Sequence, residues 1–288
     1  MSLRTDLAME SAQQIALKKN INGVNQNISV FEEAAAEITD ITVETDSAAV
    51  LLGKPKGRYI TIKFTEQMDS FSDSFEKRVD IIAEQIKKFS PSAEKILAVG
   101  LGNRNITPDA LGPMCADRIF ASRHIKKLAA EIDSESLAEL SVIQTGVMGQ
   151  TGIEASEQVK ALCKNISPEL VVAIDALACS DFSNLGNTIQ LCNTGISPGS
   201  GVENSRKELS EQSLGIKCIA IGVPTVVDMT TAAEQITGAE AENEYQNMMV
   251  TPRNIDSLIM NASKYIAYAV NRAFHRSLSL SDIQSLVE

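Results

Sequence analysis

Histidine is scarce in this sequence, with two residues among 288, and basic residues are outnumbered by acidic ones. His124 and His275 form no HExxH pattern and have no other plausible ligand beside them, which argues against a zinc hydrolase. With 26 basic against 37 acidic residues and a net charge of -11, the chain is not built to bind a phosphate backbone, so we expect no nucleic-acid partner. No apolar run reaches the length of a membrane span, and no leader with a cleavage site is present. We therefore expect a cytoplasmic protein with no membrane partner.

Three common catalytic or nucleotide-binding motifs are also missing. There is no GxSxG nucleophile elbow, and Ser200 is instead flanked by glycines in a loop. The glycine turn at residues 100–105 has neither the lysine of a phosphate-binding loop nor the third glycine of a dinucleotide fingerprint. The cysteines are far apart and show no CxxC spacing, so we predict buried thiols rather than disulfides or a metal site. They are Cys115, Cys163, Cys179, Cys192 and Cys218.

Short apolar runs alternate with helical patterns along the chain. Such runs are typical of strands that are covered on both faces, and their alternation with helices is typical of α/β proteins. We therefore predict an α/β fold with a twisted, largely parallel sheet covered by helices on both faces. Because no internal repeat or linker divides the sequence, we expect one domain over residues 1–288. The predicted strands are residues 59–65, 95–99, 140–145, 170–174, 188–192 and 218–221.

Helical spacing and start signals predict four helices. Apolar residues over 75–89 recur at helical spacing, and Thr107-Pro108 favours a helix from residue 108 to about 123. The string TGIE at 151–154 matches a capping box, which predicts a helix to about residue 163. A last helix is predicted from Thr251-Pro252, after an acidic, loop-like stretch that follows Asp228.

Two aspartates are predicted to follow buried strands at the same edge of the sheet. Asp109 lies in the string VGLGNRNITPDALGP, which runs from a strand through a glycine turn onto a helix, and Asp175 follows the apolar run 170–174. In parallel α/β sheets ligands bind beyond the carboxyl ends of the strands. Two close carboxylates share one proton and can activate water while protonating a leaving group. The alternative is a helix-start carboxylate and a strand-end turn residue, and spacing alone leaves both open.

Eight strings along the chain, in the same order throughout, resemble the germination protease family of spore-forming Firmicutes. Members of that family are endopeptidases that degrade small acid-soluble spore proteins when a spore germinates. The strings are RTDLAME (4–10), GRYITI (57–62), VGLGNRNITPDALGP (99–113), GVMGQTGIE (146–154), AIDALA (173–178), TGISPGSGV (194–202), IGVPTVVD (221–228) and MVTPRNIDSLI (249–259).

The resemblance implies an atypical aspartic-type peptidase, with a fold similar to hydrogenase maturation proteases, that assembles as a homotetramer in the forespore and spore core. It implies Asp109 and Asp175 as the functional aspartates. Bacillus-type members carry a histidine in the glycine-rich loop where this chain has Ser197. We therefore predict a site without metal or other cofactor.

The resemblance also implies a zymogen that cuts its own chain between Asp6 and Leu7, which makes residues 1–6 a short propeptide or N-terminal remnant. The alternative is that RTDLAME is a fixed structural start to the fold. The glycine-rich loops 146–152 and 195–201 would admit a substrate backbone and support the oxyanion with their amides, or would simply be tight turns. Candidates for substrate contact are Asn103, Gly149, Glu154, Gly199, Ser200 and Gly201.

Two other functions remain open at this point. One is a maturation-type peptidase that acts on a different protein. The other is a non-catalytic relative that keeps the fold as a binding module.

Overall fold

The computed structural model describes residues 5–16, 22–68, 73–128, 137–197, 207–238 and 248–288. Within these ranges nine strands form one sheet in the order β1-β2-β3-β7-β8-β6-β4-β5, with β9 paired to β8. The strands are β1 (Val24–Phe31), β2 (Ala36–Val43), β3 (Gly57–Phe64), β4 (Lys95–Leu101), β5 (Glu139–Gly146), β6 (Leu170–Cys179), β7 (Thr188–Cys192), β8 (Lys217–Asp228) and β9 (Met249–Val250).

Helices connect and cover the strands. They are α1 (Ala8–Ala16), α2 (Asp46–Leu52), α3 (Phe75–Phe89), α4 (Leu111–Ala116), α5 (Arg123–Leu128), α6 (Met148–Thr151), α7 (Ala155–Ile166), α8 (Glu211–Leu214), α9 (Met229–Thr237), α10 (Ile255–Phe274) and α11 (Leu280–Val287). Single 3-10 turns occur at Glu32–Ala34, Thr107–Asp109 and Phe182–Asn184.

The parallel part of the sheet consists of β8, β6, β4 and β5. Strand β6 is buried along almost its whole length, as expected for a parallel strand with helices on both faces. The predicted α/β fold is confirmed. The remaining strands are antiparallel: β1, β2 and β3 pair in sequence, and β7 lies between β3 and β8.

Each face of the sheet has its own core. Val172 and Ile174 of β6 pack in one core with α3, α4 and α10, and we call this side the α10 face. Val171 and Ala173 pack in a second core with α7, and we call this side the α7 face. The alternation follows from the pleat, which points successive side chains to opposite sides. Within the described ranges, no helix combines the length and apolarity needed to cross a bilayer.

The predicted helix 108–123 is wrong. The segment forms a 3-10 turn, the short helix α4 and, from Arg123, the helix α5. Between α4 and α5 the side chain of Asn271 donates to the carbonyl of Arg118 at 2.9 Å and accepts from the amide of Phe120 at 2.8 Å. In a continuous helix, this carbonyl and this amide would form hydrogen bonds within the helix. Because the buried side chain on α10 binds them instead, a tertiary contact overrides the local helix signal.

The capping box predicted at 151–154 is also wrong. Thr151 ends α6, and its hydroxyl accepts from the amide of Ile153 at 3.1 Å, while α7 begins at Ala155 without a side-chain cap. The stretch after Asp228 is helical over Met229–Thr237, because the Asp228 carboxylate accepts from two amides of the first turn. The last long helix begins at Ile255 rather than at residue 251.

The prediction for the cysteines is confirmed. All five thiols are buried and none forms a disulfide. Burial raises the pKa of each thiol, which keeps these groups protonated and unreactive at neutral pH.

Candidate functional site

A crevice opens at the carboxyl edge of the sheet between β4 and β6. The pairing of these strands stops at Gly100 and Ile174, while β6 continues to Cys179 and stays paired with β8. The chain leaves β4 toward β5 on one side and leaves β6 toward β7 and β8 on the other. Adjacent parallel strands whose connections diverge in this way form the topological switch point at which α/β proteins bind ligands.

Asp175 lies on β6 at this crevice. It is one residue beyond the last pair with β4, on the α7 face, and 4% of its surface is exposed. Its Oδ1 accepts from the amide of Ala176 at 2.9 Å. The prediction that Asp175 ends a strand is wrong, because β6 runs on through Cys179.

Asp109 ends the 3-10 turn before α4 and is half-buried. Its Oδ2 accepts from the amide of Asn103 at 2.7 Å, so the carboxylate closes the loop that follows β4 rather than capping its own helix. Gly102 makes this possible: its φ is +106°, and a Cβ there would lie 2.1 Å from the carbonyl oxygen of Asp109. The hydroxyl of Thr225 donates to the carbonyl of Pro108 at 2.8 Å and fixes the turn to β8. Both predicted aspartates therefore lie around the end of β4.

The substrate-contact candidates have different positions. Asn103 Oδ1 accepts from the amide of Asn105 at 3.0 Å and from Nε2 of Gln150 at 2.8 Å, which links the loop after β4 to α6. Gly149 is exposed in α6, and Glu154 precedes α7. The other three candidates lie outside the described residues: Gly199, Ser200 and Gly201.

The N-terminal segment binds to the part of β6 that extends past β4. The amide of Asp6 donates to the carbonyl of Ala178 at 2.9 Å, and the amide of Ala178 donates to Asp6 Oδ2 at 2.8 Å. Leu7 is fully buried in an apolar cluster that includes Leu177 and Cys179. The peptide bond between Asp6 and Leu7 is therefore held in place from both sides.

Glu10 anchors the same segment through a buried carboxylate. Its Oε2 accepts from the amide and the hydroxyl of Ser180, at 2.7 and 2.6 Å. Its Oε1 accepts from the amide of Asp181 at 3.1 Å and from Nδ2 of Asn184 at 2.6 Å. Four donors on one carboxylate make a strong, directional anchor.

Lys54 and Gln190 contact the carbonyl group of Asp6. Lys54 Nζ donates to the carbonyl oxygens of Thr5 and Asp6, each at 2.9 Å. Gln190 Nε2 donates to the same Asp6 oxygen at 2.9 Å, and its Oε1 accepts from the amide of Ala8 at 2.7 Å. Burial lowers the pKa of Lys54, and the nearby Asp6 carboxylate opposes that shift.

A cavity of about 340 Å³ opens beside these groups, with Asp6, Lys54, Gln190, Leu177 and Gly222 in its wall. Sequence reasoning missed Lys54 and Gln190. Neither residue is part of a recognisable motif, and both lie far along the chain from the segment they contact. Among the described residues, no three His, Cys, Asp or Glu side chains are grouped to hold a metal ion.

Comparison with known proteins now identifies the family. The family model described as Germination protease matches residues 4–238. The chain belongs to the germination protease family. Family membership makes it a peptidase of spore germination.

Several proteins named germination protease are similar over most of this member's length. The Clostridium perfringens protein is 37% identical over 327 aligned positions, which cover 99% of each chain. The Bacillus velezensis protein is 34% identical and covers 96% of this chain and 94% of its own. The Priestia megaterium protein is 39% identical over 79% of this chain and 64% of its own.

One solved structure is similar at a greater distance. It is a [NiFe] hydrogenase maturation protease, HycI, from Thermococcus kodakarensis, with a TM-score of 0.37 and 16% identity. The match covers 65% of this chain and 99% of that chain. Similarity at this level carries no argument about the site.

Proposed function

We propose that this chain is an aspartic-type endopeptidase that begins the degradation of small acid-soluble spore proteins during germination, with Asp109 and Asp175 activating water. The observation that carries the proposal is the position of the two aspartates around the end of β4, at the switch point of the sheet. Ligands of α/β proteins bind at such points. Family membership supplies the peptidase activity.

The chemistry of the pair is that of two carboxylates with one proton. The ionised aspartate removes a proton from water, and the resulting hydroxide adds to the peptide carbonyl carbon. The protonated aspartate then gives its proton to the departing nitrogen, and the C–N bond breaks. No metal ion or other cofactor is part of this proposal.

We also propose that the chain is a zymogen that cuts itself between Asp6 and Leu7. Support comes from the way this peptide bond is held: the amide and the carboxylate of Asp6 both bind Ala178, the Leu7 side chain is buried, and Glu10 anchors the segment. A peptide bond that is held by several contacts beside β6, the strand that carries Asp175, is a substrate already in position. The assembly proposed from the resemblance is a homotetramer in the forespore and spore core, which sedimentation of the purified chain would check.

Asp109→Asn and Asp175→Asn test the aspartate mechanism. Each change keeps the size of the side chain but removes the proton acceptor, so we expect activity to fall by about 10²–10⁴-fold. The readouts are intact mass for the loss of residues 1–6 and digestion of a purified small acid-soluble spore protein. Asp46→Asn is the matched control, because this exposed aspartate forms a surface ion pair with Lys56.

The outcomes separate the candidate functions. Activity retained by either variant removes that aspartate from the mechanism. Full function of both variants without any peptide cleavage would favour a binding module. Cleavage of other proteins while the spore protein stays intact would favour a maturation-type peptidase. Circular dichroism of each variant checks that the fold is kept.

A further inference from the structure

The carbonyl oxygen of Asp6 accepts hydrogen bonds from two side chains that are far apart in sequence. The donors are Lys54 Nζ and Gln190 Nε2, both at 2.9 Å. This oxygen belongs to the peptide bond between Asp6 and Leu7. Two convergent donors on one carbonyl oxygen are the arrangement that stabilises the negative charge formed when a nucleophile adds to the carbonyl carbon.

Lys54 is held in place by the end of α2. Its amide donates to the carbonyl of Ala49 at 3.1 Å, directly after Gly53 ends the helix with a φ of +63°. The ammonium group bridges the carbonyl oxygens of Thr5 and Asp6, and Lys54 is half-buried. Charge stabilisation is stronger in such a site than in bulk solvent.

Gln190 lies in the same cross-strand row as Asp175. Gln190 of β7 pairs with Gly222 of β8, and Gly222 pairs with Asp175 of β6, so the side chains of the two outer residues are on the same face. Two strand spacings separate their backbones by about 9.6 Å. The glycine between them carries no side chain, and it lines the cavity beside Asp6. The Asp6 carbonyl is therefore on the aspartate's side of the sheet.

We propose that Lys54 and Gln190 are the oxyanion-stabilising pair for cleavage between Asp6 and Leu7. The inference rests on the proposed self-cleavage, and it replaces glycine-loop amides with two side chains in this role. Water adds to the carbonyl carbon of Asp6, and the oxygen becomes an oxyanion that Lys54 Nζ and Gln190 Nε2 hold. The oxyanion collapses, the bond to the nitrogen of Leu7 breaks, and that nitrogen takes a proton. One water is consumed, and the products are a carboxylate on Asp6 and an amino group on Leu7.

Two substitutions remove one donor each. Lys54→Met keeps the length of the side chain, and Gln190→Glu keeps the acceptor for Ala8 while removing the donor to Asp6. We expect each to slow the first-order loss of residues 1–6, followed by intact mass, by about 10²–10³-fold. Lys54→Arg, which keeps a cationic donor, should restore much of the rate. Lys56→Met is the matched control, because this exposed lysine forms a surface ion pair with Asp46.

Hydrogen exchange of residues 5–16 separates charge stabilisation from simple docking. If Lys54→Met and Gln190→Glu are slow while protection of the segment is unchanged, the inference holds. If protection is lost together with the rate in both variants, the two residues only position the segment, and the oxyanion role is overturned.

The aspartate variants make the two proposals distinguishable. Wild-type rates for Lys54→Met and Gln190→Glu, with inactive Asp109→Asn and Asp175→Asn, overturn this inference and leave the aspartate mechanism intact. Slow cleavage by Lys54→Met and Gln190→Glu, with fully active Asp109→Asn and Asp175→Asn, supports the oxyanion pair and overturns the aspartate mechanism. A wild-type chain that never breaks between Asp6 and Leu7 overturns both the self-cleavage and the role of the pair.

Discussion

Replacing Glu10 with alanine should release the N-terminal segment from the sheet. Glu10 is 3% exposed, and its carboxylate accepts four hydrogen bonds from Ser180, Asp181 and Asn184. Alanine leaves all four donors without their acceptor in a buried place. Unpaired buried polar groups are among the few causes of large losses of stability.

The size of the effect follows from these contacts. A hydrogen bond to a charged group contributes about 1.5–3 kcal/mol, but the four are not additive and water can enter the space that alanine leaves. We expect Glu10→Ala to lower the free energy of unfolding by about 3–5 kcal/mol, the range for removing one partner of a buried charged network. Glu10→Gln should cost about 1–3 kcal/mol. Asn184 Oδ1 is buried and accepts no hydrogen bond from the part of the chain that the structure describes, so a rotated Asn184 amide can receive the new donor.

Urea unfolding and hydrogen exchange of residues 5–16 measure the global and the local effect. The experiment is best done in an Asp175→Asn background, so that the segment stays attached throughout. Glu32→Ala is the control, because Glu32 is exposed and should change stability by less than about 0.5 kcal/mol. The reasoning is refuted if Glu10→Ala matches this control in both measurements, or if Glu10→Gln is the more damaging change.

Two further predictions concern the sheet and α10. In Gly222→Ala the new Cβ would lie 2.5 Å from Leu177 Cγ and 2.8 Å from the carbonyl oxygen of Asp175. Thermal melting should therefore show that the free energy of unfolding falls by about 1–3 kcal/mol. An unchanged melting temperature contradicts this prediction. Burial lowers the pKa of His275, whose Nε2 lies 3.2 Å from the carbonyl oxygen of Phe120, so the unfolded chain takes up a proton more readily as the pH falls below 6.5. The free energy of unfolding should therefore fall as the pH drops below 6.5, and it should fall less in His275→Gln than in the wild type. Urea unfolding at two pH values measures both changes. Equal falls in the two proteins would exclude His275 as the cause.

Local sequence patterns predicted the helices and strands whose apolar residues follow the side of the element that is buried. The helix α3 spans the predicted residues 75–89, because its apolar residues recur on one face and pack against α10. The buried strands β6, β7 and β8 were found from short apolar runs, although the runs underestimated the length of β6 and β8. Asp109 and Asp175 were predicted at the carboxyl edge of the sheet. In the structure both lie around the end of β4, although β6 itself runs past Asp175 to Cys179.

Features that depend on distant contacts could not be predicted. The break between α4 and α5 is due to Asn271, a residue about 150 positions away from the backbone that it binds. The polar N-terminal part gave no clear signal, since most residues of β1 are exposed on both faces and lack the alternation of a half-buried strand. The sequence around Lys54 and Gln190 contains no recognisable motif, and the two residues come close to Asp6 through the fold.

The anchor at Glu10 sets an order of events during synthesis. The residues that hold Glu10 are made 170 or more positions later, and Gln190, which binds Asp6, follows 184 positions after it. At roughly 5–20 residues per second, the N-terminal segment leaves the ribosome about 10–35 s before its binding site exists. Because β8 lies between β6 and β7 in the sheet, the segment can dock only after all three strands have assembled. Docking, and with it the proposed self-cleavage, therefore reports that β6, β7 and β8 have assembled.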